Sequence, residues 1–265
     1  MFKKLTLPLI MATTLATVMP IMTMAGTLSV NKPRILMTDK NKRAEFKVFN
    51  TSPDIQTLRI SLIDKQMDEQ GEIITVEGSQ TSASDFLRVG PRVGKNIDPK
   101  GFQKFRVRAK LSKMPAGEYR SHLLVESMNP PTEQSKAGIS VKPNIKYSIP
   151  IIIRHGELNA EVAISNAQLS EKVSDNGEKQ TTLAFDMTRI GDRSVYGDFA
   201  VYQVTGDETI LIKALVGQAI YTEVEKRQFS IELLTAPPAG SQLKLEFKEN
   251  PEFGGDSQAH TLIEV

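Results

Sequence analysis

Gly101-Phe-Gln-Lys-Phe-Arg-Val-Arg-Ala-Lys-Leu111 puts Phe105, Val107 and Ala109 at every second position, with Lys104, Arg106 and Arg108 between them. A period of two is the mark of a strand with one face on a core and one in water. Thr57-Leu-Arg-Ile-Ser-Leu-Ile-Asp64 repeats the pattern, with Leu58, Ile60 and Leu62 on one face. So does Ala44-Glu-Phe-Lys-Val-Phe-Asn50. Outward from these runs almost every stretch reads as a strand: Val30 to Met37 broken by Pro33, Ile73 to Glu77, Glu118 to Met128 and Ile139 to Ile153. Turn residues punctuate them at Thr51-Ser-Pro-Asp54, Asp98-Pro-Lys-Gly101, Pro115-Ala-Gly117 and Asn129-Pro-Pro131. A second series follows Arg154-His155-Gly156, with strands expected at Ala160–Leu169, Thr181–Arg189, Gly197–Thr205, Thr209–Val216, Gln218–Glu223, Gln228–Leu234, Gln242–Glu249 and Ala259–Val265. No long segment keeps a helical period. The expectation is an all-β chain of two β-sandwiches meeting near Gly156 through a short linker.

The first residues stand apart. Met1-Phe2-Lys3-Lys4 is a short basic start, Leu5 to Met24 carries no charge, and Thr23-Met24-Ala25 offers small residues for cleavage before Gly26. This is the layout of a secretory signal peptide. Domains are therefore expected at 1–25 (signal peptide), 26–155 and 156–265. The longest later apolar run, Ile149 to Ile153, suits a buried strand and not a membrane span.

Composition narrows function. The 265 residues include 33 Lys and Arg, 31 Asp and Glu, and 40% hydrophobic residues, enough for a real core. Removing residues 1–25 takes away Lys3 and Lys4 and no acid, leaving 31 of each sign. That balance argues against nucleic acid as a partner. With no Cys there are no disulfides, thiolate metal sites or cysteine nucleophile, and three His are scarce material for a metal site. Gly90-Pro-Arg-Val-Gly-Lys-Asn96 departs from a phosphate loop in spacing and in its β context. Asp64, Asp68, Glu69 and Glu72 lack the calcium-loop spacing and read as a solvated hairpin turn. His155 reads as a structural hydrogen-bonding group. Neither a catalytic constellation nor a cofactor site emerges.

Several stretches resemble the periplasmic chaperones of bacterial chaperone–usher pilus systems, the PapD-like superfamily, in its archaic branch. They are Arg59-Ile-Ser-Leu-Ile-Asp64 with Met67, Phe86-Leu-Arg-Val-Gly-Pro-Arg-Val93, Pro115-Ala-Gly-Glu-Tyr-Arg-Ser-His-Leu-Leu124 and Tyr147-Ser-Ile-Pro-Ile-Ile-Ile-Arg-His-Gly156, then Thr188-Arg-Ile-Gly-Asp-Arg-Ser-Val-Tyr-Gly-Asp198 and Pro238-Ala-Gly240. The resemblance covers essentially the whole chain after the signal peptide, in order. It implies two immunoglobulin-like domains in a boomerang, a periplasmic location, no enzymatic activity and no cofactor. The partners it implies are pilus subunits and an outer-membrane usher, without a membrane anchor once the signal is cut. Such a chaperone lends a strand to an incomplete subunit sandwich, donor strand complementation, in which backbone hydrogen bonds bind and alternate side chains fill the groove. By this resemblance the donor strand lies within Ile139 to Ile153, with Ile139, Val141, Ile145, Tyr147 and Ile149 as groove-filling candidates. Arg34 matches the cation that anchors the subunit's carboxylate, with Lys146 as the nearest lysine for its partner. Arg88, Arg92, Arg106, Arg108 and Arg120 stand as alternative cations. Pro130 and Pro131 fall where related chaperones meet the usher. Two other readings remain open from residues alone: an exported pilin- or adhesin-like structural protein, and a secreted carbohydrate-binding protein.

Overall fold

The computed structural model of the chain describes residues 28–128, 146–173 and 179–265. The first half holds β1 (Leu28–Val30), β2 (Ile35–Thr38), β3 (Arg43–Asn50), β4 (Gln56–Met67), β5 (Ile73–Val76), β6 (Leu87–Gly90), β7 (Val93–Ile97), β8 (Phe102–Ala109), β9 (Gly117–Ser127) and β10 (Lys146–His155). They form two facing sheets. One runs β1-β3-β8-β6; the other runs β2-β10-β9-β4, with β5 and β7 also paired to β4. Pro33 divides the expected Val30–Met37 run. β1 pairs antiparallel with β3 in one sheet, and β2 pairs parallel with β10 in the other.

The alternation that predicts these strands is what packs them. Phe46 and Val48 of β3 meet Phe105 and Val107 of β8 inside, all at 1% exposure or less, with the Phe46 and Phe105 rings stacked 5.2 Å apart. Leu58, Leu123, Val125, Ile149, Ile151 and Ile153 close the same core from the second sheet.

The second half holds β11 (Ala160–Val173), β12 (Lys179–Gly191), β13 (Val195–Thr205), β14 (Glu208–Ile220), β15 (Lys226–Leu233), β16 (Gln242–Glu249) and β17 (Gln258–Glu264). Sheets β11-β12-β15 and β14-β13-β16-β17 enclose Phe185, Phe199, Phe229 and Phe247. Two expected strands, Thr209–Val216 and Gln218–Glu223, are here the single strand β14. Gly217, at φ +73°, forms a bulge between them, and its N–H donates to Asp198 Oδ1 at 2.8 Å, so the strand bends without ending. Gly197 is required by a close approach, because a Cβ there would collide with the Lys248 carbonyl of β16.

The halves share material. Leu36, Met67 and Ile152 come from the first half and pack in the second core. The β4–β5 turn, built on Asp68 accepting from the N–H groups of Gln70 and Glu72, also reaches across: Gln228 N–H donates to the Glu69 carbonyl at 2.8 Å.

Candidate functional site

β10 is the element on which the site turns. Its burial pattern is exposed at Lys146 and Ser148, half-buried at Tyr147 and Pro150, and buried from Ile151 to Arg154. β9 pairs with it along its full length, from Lys146–Glu126 to His155–Gly117. β2 covers its other edge only from Ile151 to Arg154. Among the described residues, no strand pairs with that edge over Lys146–Pro150. β1 pairs in the other sheet, and the Tyr147 hydroxyl donates to its Leu28 carbonyl at 2.7 Å. An open edge is a template for another strand.

Side-chain direction corrects part of the sequence reading. Ile149, expected to fill a partner's groove, is 1% exposed and belongs to the chain's own first core. Tyr147 shares its face, packed against that core. The physical reason is register: the period-two face at 147, 149, 151 and 153 turns inward, toward the facing sheet. Ile139, Val141 and Ile145, with Pro130 and Pro131, lie outside the described residues.

The structure does not bring Arg34 and Lys146 together. Arg34 precedes Ile35, which pairs with Ile151, so it sits level with Pro150, four residues or about 13 Å along the strand from Lys146. Lys146 is bound by Glu126, 2.7 Å away on β9. Arg88, Arg106 and Arg108 project from the outer face of the other sheet. Arg120 does approach Arg34. Arg34 is 6% exposed, donates from Nη2 to the Tyr221 hydroxyl at 2.8 Å and lies 4.0 Å from the Tyr196 ring centroid. Arg120 lies 3.4 Å from the centroid of Tyr221, with Arg34 at 5.3 Å from the same ring. Arg120 Nη2 donates to the Lys65 carbonyl at 2.7 Å and to Glu223 Oε1. Its Nε and Nη1 are buried with no partner among the described residues.

Two residues on along β9, His122 is 2% exposed, and its Nδ1 has no partner among the described residues. Burial, and then the charges of Arg120, Lys65 and Arg34, push its pKa down to about 3, so it is neutral. The junction thus carries more cationic donors than its own acceptors satisfy. Nearby, Arg154 is fully engaged, donating to Glu118 Oε2 (2.9 Å) and to the carbonyls of Ser194 (2.8 Å), Phe253 (2.8 Å) and Gly254 (3.2 Å). His155 Nδ1 lies 2.6 Å from Asp39 Oδ1, a structural contact. Among the described residues no group of acidic or His side chains could hold a metal ion.

No family model and no curated protein matches the chain. Solved structures do. The class 5 fimbriae chaperone CfaA is 16% identical, with a TM-score of 0.46 over 90% of this chain and 99% of that one. A chain of the CsuC–CsuE chaperone–tip adhesion subunit pre-assembly complex, from archaic chaperone–usher Csu pili of Acinetobacter baumannii, is 14% identical, with a TM-score of 0.49 over 90% and 99%. A chain of the Salmonella enterica SafA pilin–SafB chaperone complex is 14% identical, with a TM-score of 0.44 over 91% and 98%. Chaperones of fimbrial assembly, the class the sequence resembles, are thus among the structures similar to this chain. At these identities and scores the likeness transfers no residue's role.

Proposed function

We propose that the chain is a periplasmic chaperone that binds pilus subunits by lending them a strand and hands them to an outer-membrane usher. The observation that carries this reading is the open edge of β10 at Lys146–Pro150. A strand paired on one side and, among the described residues, unpaired on the other can accept an incomplete sheet at little cost in reorganisation. Each backbone hydrogen bond gained nets about 0.5–1.5 kcal/mol, and each large apolar side chain buried adds about 1.5–3 kcal/mol.

With Ile149 committed to the chaperone's own core, the groove-filling role falls to Ile139, Val141 and Ile145, ahead of the open edge. Arg120 lies beside Arg34 and, although Glu223 holds its Nη2, its Nε and Nη1 have no partner among the described residues; it is the better-placed second cation for a subunit's terminal carboxylate than Lys146, which stands four residues along the strand from Arg34. Pro130 and Pro131 are proposed to meet the usher.

The test is co-expression with the small exported proteins encoded beside it, followed by pull-down from the periplasm. The expected result is a one-to-one complex with a subunit that is degraded when expressed alone. Ile145→Asp should stay folded and lose at least tenfold in recovered subunit. Unchanged recovery by that variant, or a neighbouring subunit stable without the chaperone, would overturn the reading.

A further inference from the structure

The outer face of β3, β8 and β6 is densely basic. In register across these strands lie Lys47 opposite Lys104, Glu45 opposite Arg106, and Arg43 opposite Arg108, which in turn faces Arg88. Six cations and one acid occupy a patch of roughly 14 by 10 Å. Glu45 is already taken, bound to Arg106 at 2.9 Å and Lys104 at 3.3 Å. The three arginines of the last row have no acidic partner among the described residues. Like charges directly opposite each other on a sheet are destabilising, so the row stands against the chain's own stability.

The patch belongs to a wider asymmetry. Residues 26–155 hold 22 basic and 13 acidic residues, and residues 156–265 hold 9 and 18. The halves carry +9 and −9, so residues 26–265 sum to zero. At the margin of the patch, Phe102 is 50% exposed, with Phe49 at 5.6 Å and Lys47 Nζ 4.3 Å above its ring. Aromatic rings beside lysine and arginine are the composition of a surface that settles on lipid headgroups.

We propose that this face docks the chain peripherally on a membrane surface rich in anionic phospholipid. A sheet face is broad and flat, as such a contact requires. A half-wide positive excess opposed by an equally negative half orients the molecule on a charged plane, basic half down. A short acidic peptide would need the arginine row alone. The face lies on the sheet away from β10, so it stays free while the strand edge is occupied, and the inference does not depend on the strand-lending reading.

The test is co-sedimentation of the exported protein with phosphatidylcholine vesicles, with and without about 30% phosphatidylglycerol, across salt from about 0.05 to 0.5 M. Binding is expected only with phosphatidylglycerol and should fade with salt. Replacing Arg43, Arg88 and Arg108 together by Gln should lower the vesicle partition about a hundredfold, about fivefold per charge. The single Arg108→Gln, which relieves repulsion from both neighbours, should lower it about fivefold while leaving the melting temperature unchanged or raised. Equal binding to neutral vesicles, or Gln variants that bind like the original, would overturn the proposal. So would binding to a poly-glutamate peptide without binding to vesicles, which would assign the face to an acidic protein instead.

Discussion

His122 shows what one residue does to the pH response of the whole chain. In the unfolded chain it takes up a proton near its usual value of 6.5; folded, it does so only at about 3, chiefly because burial disfavours the imidazolium. Between those values unfolding binds a proton, so acid favours the unfolded state. The stability this group contributes is intact above pH 6.5 and is lost as pH falls toward 3, at up to about 1.4 kcal/mol per pH unit. Denaturant midpoints of the wild type should therefore fall between pH 7 and pH 4 more steeply than those of His122→Gln, by about one proton. Parallel slopes would mean that burial and the neighbouring cations together do not keep His122 neutral. The residue-level signal is present in Arg120-Ser-His122, which places an arginine and an imidazole on one strand face. What the sequence could not reveal was the partner surface, since Tyr221 and Glu223 lie about a hundred positions away along the chain.

At the scale of the element, β10 serves two cores at once. Ile151 and Ile153 point into the first and Ile152 into the second. Arg154 then ties the strand's end to three carbonyls of the second half and to Glu118, whose side chain is 2% exposed. Arg154→Met would leave that carboxylate buried with the Ser194 N–H as its one remaining hydrogen-bond partner among the described residues, at a cost of about 3–5 kcal/mol. Arg154→Lys restores the charge but not the planar fork that reaches several acceptors, so it should remain destabilised in urea unfolding. Full recovery by Lys would show that charge alone matters there. The same double burial explains where reading the sequence succeeded and failed. Gly101–Leu111 is legible because one of its faces is in water, so polarity alternates with direction. Ile149–Ile153 is apolar on both faces, and parity alone could not say which side chains face which core. That is why Ile149 was expected in a partner's groove. The separation of Arg34 from Lys146 was hidden for a related reason: only the parallel register of β2 against β10 sets them four residues apart.

The scale of the whole molecule raises the question of whether the two halves are one cooperative unit. Only residues 156–159 separate β10 from β11, and a short tether between sandwiches would by itself allow relative motion. The junction opposes it. Leu36, Met67 and Ile152 are inserted into the second core, so separating the halves would expose them and cut into that core. Arg34 and Arg120 both lie against Tyr221, and the Met67 N–H donates to Glu223 Oε1 at 2.8 Å. The opposite net charges of the halves add an attraction that salt weakens. Calorimetry should accordingly show one transition, with van't Hoff and calorimetric enthalpies equal. Ile152→Ala removes the deepest of the inserted side chains, at about 2–5 kcal/mol, and should split or broaden that transition. Two resolved transitions in the wild type would mean that each sandwich melts alone and that the shared residues do not couple them. One transition would mean that the open edge of β10 and the cations beside Tyr221 are held in a single frame, the condition that the proposed lending of a strand and capture of a terminal carboxylate would require.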